Sequence, residues 1–365
     1  MARRSDEIQI TKTSVDALTK AQNELVALDK RADAMADAAV PAGTRRAYEF
    51  ELACFASWCV RHGVRPMPAE PRTIRSYLFE LAEKGRALEE VPSGKAKGPM
   101  SYGSLMRALG AICRSHRRGG HPSPWKHPLI EETRNTLGVL KGTAPKKQKH
   151  DLGTHGEALF LQMCDQIKDD LRGARDRAMF LVGWEGGGRR RSEITAAHVE
   201  HFETIEGGIR WRIPRSKTDQ TGKELVVPLT PSADERYCPV YNLRRWLELS
   251  KIESGPVFRG VDTNTGEVMA AALAPEGVAR RVQHYVKLLE LDPTNFGGHS
   301  LRSGFITTAH KAGRKEADIM QATGHRSLKQ MHGYIRRAGL VEESAARGLI
   351  DEALARRAPK KPEEK

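Results

Sequence analysis

Two short stretches decide the reading: Gly298-His-Ser-Leu-Arg-Ser303, and Gly324-His-Arg-Ser327 followed by Gly333-Tyr-Ile-Arg336. They supply two histidines, an arginine and a tyrosine, with Tyr334 nine residues after His325. Each piece alone is weak, since His-x-x-Arg recurs by chance and a lone tyrosine is usually a core residue. Toward the N-terminus two further elements join them. One is Gly186-Gly-Gly-Arg-Arg-Arg-Ser-Glu-Ile194, a glycine-rich turn between a helix expected around Ala174 to Trp184 and another from about Ser192. The other is Ser216-Lys-Thr-Asp-Gln220. It lies in the polar turn Arg215 to Lys223, between Ile209, Trp211 and Ile213, which alternate with Arg210 and Arg212, and Leu225, Val227 and Leu229. Period-two alternation on both sides predicts two half-buried strands joined by that turn.

The four elements together resemble the tyrosine recombinase (phage integrase) family. That family shows Arg-x-Ser-Glu at a helix start, a hairpin lysine, His-x-x-Arg, Gly-His, and a tyrosine about nine residues on. All stand here in family order, over residues 174 to 337. The run Ile319-Met-Gln-Ala-Thr-Gly-His325 through Tyr334-Ile-Arg336 looks most like the Cre-like branch. The resemblance implies a multidomain protein, mainly α with a small antiparallel β-sheet. It would pair a helical, SAM-like core-binding domain with a mixed α/β catalytic domain in a C-shaped DNA clamp. It also implies that Tyr334 is the nucleophile, that Arg190, Arg302, His299, His325 and Lys217 complete the catalytic set, and that Glu193 supports them.

The chemistry fits these residue types. Attack on a phosphodiester builds negative charge on the non-bridging oxygens, which fixed cations and donors must meet. A guanidinium presents a planar fork to phosphate oxygens and stays charged, so Arg190 and Arg302 are the expected phosphate clamp. Arg190 is chosen over Arg189 and Arg191 because it alone precedes Ser-Glu by the family spacing. The family usually has an apolar residue where Arg189 stands, and Arg189 and Arg191 read as a structural salt bridge or backbone contact. Glu193 lies one helical turn beyond Arg190 and can hold an active-site partner in place. Lys217, on a flexible stem in a turn, suits a general acid for the departing 5′-oxygen. His299 and His325 can donate to the phosphate, and His299 can accept the tyrosine proton. A tyrosine with an ordinary pKa near 10 needs activation by surrounding cations. His332 fits no family element and reads as structural.

The balance of the chain agrees. Its 365 residues carry 60 Lys and Arg against 46 Asp and Glu, a net charge of +14, which suits a polyanionic partner. Basic proteins in general and membrane-surface binders share that balance. No apolar run is long enough to span a bilayer and no signal-peptide core follows Met1, so the expected compartment is the cytoplasm, nucleoid-associated, in a prokaryotic, phage or plasmid setting. The five cysteines (Cys54, Cys59, Cys113, Cys164, Cys238) form no CxxC pair and read as reduced thiols. No Walker A motif occurs, and a phosphotyrosine ester conserves the bond energy, so neither metal nor other cofactor is expected.

Length predicts two domains. Residues 1–40 form a partly helical extension, with Leu18, Leu25 and Leu28 on a weak stripe. Residues 41–141 form the helical domain: Tyr48, Leu52, Phe55 and Cys59 share one face after a candidate cap at Thr44. Ile74, Tyr77, Leu78 and Leu81 repeat the pattern, as do Leu105, Leu109 and Ile112, and a fourth helix lies within His127 to Leu140. Tyr48 and Tyr77 read as core. Arg107, Arg114 and Arg118 on an opposite face, with Lys126, are candidate DNA contacts, equally readable as solvated surface. Lys146 and Lys147, in a basic linker over 142–150, are candidates on the same terms. The catalytic domain spans 151–357 and 358–365 is a disordered tail. Val341, Ala345, Leu349 and Ala353 recur at spacing four, and the resemblance implies that this last helix docks into a neighbouring protomer.

The expected partner is therefore double-stranded DNA carrying specific, inverted-repeat recombination sites, bound by a homo-tetramer assembled from free monomers, with no membrane partner. Rival readings are a type IB topoisomerase or telomere resolvase with the same chemistry, a non-catalytic DNA-binding architectural protein, and a metal-dependent nuclease using Asp165, Asp169 and Asp170.

Overall fold

The computed structural model describes residues 12–91, 98–143, 149–153, 159–214, 224–262 and 264–338. The chain divides into two compact units, 1–147 and 148–365. Among the described residues no helix is long and apolar enough to cross a membrane.

The first unit holds α1 (Lys12–Ala38), α2 (Ala42–Arg61), α3 (Pro71–Glu83), α4 (Tyr102–Arg118) and α5 (Pro128–Lys141). The helical spacing of its apolar residues is realised as one core. Phe55, Trp58 and Cys59 from α2 meet Ile74, Tyr77, Leu78 and Leu81 from α3, Leu105, Leu109 and Ile112 from α4, and Ile130 and Leu137 from α5. Each large apolar side chain fully removed from water there contributes about 1.5–3 kcal/mol. Two local expectations are corrected. Helix α2 starts at Ala42 with Pro41 at its cap position, so Thr44 lies inside the first turn; a proline has already set the entry φ. Tyr48 is only half-buried, beside the Arg114 guanidinium at 5.8 Å from the ring centroid, whereas Tyr77 is fully buried. Helix α1 falls within the partly helical extension, and Leu25, Leu28 and Met35 on it are exposed.

The second unit contains α6 (Leu159–Asp165), α7 (Leu171–Glu185), α8 (Arg191–Thr195), β1 (Phe202–Ile205), β2 (Gly208–Ile213), β3 (Leu225–Leu229) and α9 (Pro239–Ser250). After these come β4 (Arg259–Val261), β5 (Val268–Ala272), α10 (Pro275–Leu288), α11 (Gly298–Lys311), α12 (Glu316–Thr323) and α13 (Leu328–Ala338). The three-stranded sheet is antiparallel in the order β1-β2-β3, with Trp211 opposite both Phe202 and Val227. Alternation along β2 buries Ile209, Trp211 and Ile213 and exposes Arg210 and Arg212. Strand β1 and the separate hairpin β4-β5 are additions to the sequence reading, being too short to show a period.

Helix α7 is buried along most of its length and runs through the core, although it carries Arg175 and Asp176 there. Its one buried acid, Asp176, is held by Arg175 Nε at 2.9 Å, Arg281 Nε at 2.6 Å and Tyr285 Oη at 2.7 Å, which ties α7 to α10. A buried carboxylate needs this many donors to offset its lost hydration. Helix α13 is seated by a small separate cluster, Ile306, Ile319 and Met331, against which Tyr334 packs. The basic linker lysines Lys146 and Lys147, the β2–β3 turn with Lys217, and the apolar stripe after Val341 lie outside the described residues.

Candidate active site

The turn between α7 and α8 approaches other backbone closely enough to require glycine. Gly187 has φ +92° and Gly188 φ +64°. A Cβ at Gly187 would lie 2.2 Å from the Ala322 carbonyl oxygen, and one at Gly188 2.8 Å from the Arg302 Cα. Two glycines thus bring the arginine triplet against α11 and the end of α12.

Within the triplet the three arginines go to different places. Arg190 is the residue before α8 and keeps part of its side chain exposed; its Nη1 donates to Glu193 Oε1 at 2.7 Å, and Glu193 Oε2 accepts from the Arg190 backbone N–H at 3.1 Å. Glu193 therefore caps its own helix and orients the guanidinium. Arg189 turns inward and is fully buried. Arg191 turns outward and pairs with Glu276 at 3.4 Å.

Arg302, from the middle of α11, is equally buried. Its Nη1 donates to Gly188 O at 3.3 Å and its Nη2 to Thr323 O at 2.8 Å, and Nη2 also lies 3.2 Å from Nε2 of His325. Burial, reinforced by Arg190 and Arg189, holds the Arg302 guanidinium below its ordinary value, down to about 10, so it is charged at neutral pH. Among the described residues, the guanidiniums of Arg189, Arg190 and Arg302 crowd the Glu193 carboxylate, leaving a surplus of positive charge that an anion would relieve.

His325 follows Gly324, which closes α12 in the left-handed conformation at φ +68°. Thr323 Oγ1 donates its single proton to the carbonyl of Ile319 at 2.6 Å, so the 2.7 Å contact between Thr323 Oγ1 and His325 Nδ1 must use the Nδ1 proton. With the proton on Nδ1, Nε2 of the neutral ring is the acceptor facing Arg302 Nη2 at 3.2 Å. Burial first, then Arg302, Arg190 and Arg189, push His325 down to about 4. On α11, His299 Nε2 lies 2.7 Å from Tyr334 Oη, and the His325 and Tyr334 rings sit 5.7 Å apart. A deprotonated Nε2 on His299 accepts the tyrosine proton without rearrangement. Fixed donors, a base and a hydroxyl thus face one another.

A model of the phage integrase family matches residues 157–339. The chain belongs to this family. It is 30% identical over 307 residues to an integrase/recombinase xerD homolog of Selenomonas ruminantium, covering 83% of this chain and 84% of that one. It is 23% identical over 306 residues to recombinase cre of Escherichia phage P1, covering 77% and 80%. Among solved structures, XerH site-specific recombinase in a post-cleavage complex with its difH substrate shares the fold at TM-score 0.59 and 17% identity, over 84% of this chain and 79% of that one. A lambda integrase dimer bound to a core site matches at TM-score 0.51 and 16% identity, over 84% and 93%. The enzyme is a DNA-binding tyrosine site-specific recombinase.

The recombinase brings Arg190, Glu193, His299, Arg302, His325 and Tyr334 together; Lys217 lies outside the described residues. In the first unit Lys126 is exposed, but the other described basic candidates carry acidic partners. Arg114 Nη2 lies 3.1 Å from Asp37, which also pairs with Arg118, and Arg107 Nε lies 3.5 Å from Glu51. His332 pairs with Glu316 at 2.6 Å, a structural contact. Asp170 caps α7 through Gly173, Asp165 accepts from Tyr237, and Asp169 from Arg245, so the three acids of the nuclease reading serve local structure. Sequence reasoning read the glycine-rich turn and a structural contact for Arg189, but it did not single out Gly187, Gly188 or Thr323, nor the carbonyls that Arg189 reaches. The run of three glycines was the available signal for the first two.

The lowered His325 has a consequence for stability. Between its folded value of about 4 and the ordinary 6.5, the unfolded chain binds the proton and the folded chain does not. His325 therefore takes stability away as pH falls from 6.5, and the loss levels off below about 4. Urea unfolding of the parent and His325→Gln across that range should show the variant losing less stability on acidification; parallel curves would contradict it.

Proposed function

We propose that this recombinase cleaves and rejoins DNA through a covalent phosphotyrosine. Tyr334 Oη attacks the scissile phosphorus, the bond to the 5′-oxygen breaks, and a 3′-phosphotyrosyl enzyme and a free 5′-hydroxyl result. His299 takes the tyrosine proton, and Arg190 and Arg302 bind the non-bridging oxygens as their charge grows. His325, once an anionic phosphate offsets the neighbouring guanidiniums, gains a proton at Nε2 and donates to the same group. Lys217 protonates the departing oxygen. Attack by the 5′-hydroxyl of a partner strand reverses the sequence, and neither a metal ion nor ATP enters it.

The observation that carries this reading is the 2.7 Å contact between His299 Nε2 and Tyr334 Oη beside the buried Arg302 and the mostly covered Arg190. The remaining parts follow from it and from the family. Residues 41–141 form the core-binding domain, 142–150 the linker and 151–357 the catalytic domain. Four copies assemble on paired inverted-repeat sites in the cytoplasm, each docking its apolar C-terminal helix, within residues 340–357, into a neighbour. The test is a nicked suicide duplex carrying the binding site, located first by footprinting, incubated with the full chain in EDTA without ATP. A covalent adduct mapping to Tyr334 is expected. Failure to form one, or a requirement for a divalent ion, sinks the reading.

A further inference from the structure

Arg189 occupies a position where the family usually has an apolar residue, yet it is fully buried behind the site. Its Nη2 donates to the carbonyls of Gly187, at 3.3 Å, and of Ala322. Its Nη1 lies 3.8 Å from Glu193, and its Nε is buried without a hydrogen-bond partner among the described residues. The next carbonyl along, that of Thr323, is held by Arg302 at 2.8 Å. Two guanidiniums from different elements therefore grip two consecutive carbonyls at the C-terminus of α12. The last carbonyls of a helix have no intrahelical partner and carry its negative end, so a cation suits them.

This grip lies immediately before His325. Ala322 and Thr323 lead into Gly324 and the histidine, and Thr323 Oγ1 fixes His325 Nδ1 at 2.7 Å. The other end of the latch is the Gly187–Arg190 turn, so Arg189 couples the arginine before α8 to the histidine after α12. Without it, Arg302 still bridges Gly188 O and Thr323 O, at 3.3 and 2.8 Å, but the Ala322 carbonyl beside Gly187 loses its guanidinium donor.

We propose that Arg189 is a positioning residue, which latches the end of α12 to the Gly187–Arg190 turn and so holds His325 and Arg302 in register with the scissile phosphate. It acts through those residues and touches no DNA. This inference rests on the reading that His325 and Arg302 serve the phosphate. A fold built around an apolar residue at this position tolerates removal of the arginine, because Glu193 keeps its stronger partner Arg190 at 2.7 Å.

The experiment compares the parent with Arg189→Leu and Arg189→Lys, full length, in single-turnover cleavage of the nicked suicide duplex, with DNA affinity and thermal midpoint measured alongside. Loss of a supporting contact of this kind slows chemistry by about 10–100-fold. The leucine variant should show that loss at unchanged affinity and an undiminished thermal midpoint. The lysine variant, with one point charge and no fork, should recover part of the rate. If the leucine variant does not fold, the lysine variant decides: a slowed rate at unchanged affinity supports the latch, and a parental rate overturns it. Parental cleavage by the leucine variant, or a rate that falls only in step with affinity, also overturns it. Tyr334→Phe and Arg302→Met run in parallel separate the two failures. If Tyr334→Phe still forms adduct, or Arg302→Met cleaves within tenfold of the parent, the underlying reading is wrong; if both lose cleavage while Arg189→Leu cleaves normally, only the latch is.

Discussion

Tyr334→Phe should bind the recombination site with parental affinity and yield no covalent adduct, a loss of about 10⁴-fold or more in cleavage. The substitution deletes one oxygen, whose described partner is His299 Nε2 at 2.7 Å. The ring itself packs against the Ile306, Ile319 and Met331 cluster, and phenylalanine retains that packing. The expected stability change is therefore small, about the net worth of one hydrogen bond, roughly 1 kcal/mol. Denaturing gels of the trapped suicide complex read the adduct, and mobility shift reads the binding. An adduct that survives in Tyr334→Phe would move the nucleophile elsewhere among the seven tyrosines. Loss of binding together with cleavage would make Tyr334 a structural residue.

How much of this was legible beforehand depends on the distance over which each feature is encoded. The helices of the first unit follow from apolar residues three and four apart, and β2 and β3 from strict alternation, because these periods are local. The residues of the site stood in the sequence as motifs, and within the triplet Arg190 is mostly covered and held by Glu193 at 2.7 Å. The inward path of Arg189 was not readable. It depends on Ala322, 133 residues away, presenting a carbonyl at the end of another helix. The pairing of Arg114 and Arg118 with Asp37 was hidden for the same reason: Asp37 lies on a helix with no strong period of its own. Thr323 escaped notice because a threonine before Gly-His looks like an ordinary helix end. Its meaning appears only when its hydroxyl is seen to fix the histidine tautomer.

Arg302→Met tests the positive charge that the site gathers around Glu193. Removing one fixed donor to a developing oxyanion costs about 10²–10³-fold in rate. Arg302 also holds Thr323 O and flanks His325, so its loss should reach the upper end of that range, about 10³-fold, in single-turnover cleavage. Affinity for intact DNA should fall far less, since many phosphate contacts share it. Stability should be preserved or raised, because burial and the neighbouring Arg190 and Arg189 already disfavour this cation, and an apolar side chain of similar volume removes that repulsion. Arg302→Lys should not rescue cleavage, as an ammonium cannot reach Gly188 O, Thr323 O and a phosphate from one position. His325 supplies an internal check. Burial lowers it first and Arg302 next, so in the methionine variant its titration, read from the ring carbon resonances, should move up from about 4 toward 6.5. Cleavage within tenfold of the parent, or an unmoved His325, would show that Arg302 serves the fold and that the phosphate is held by other cations.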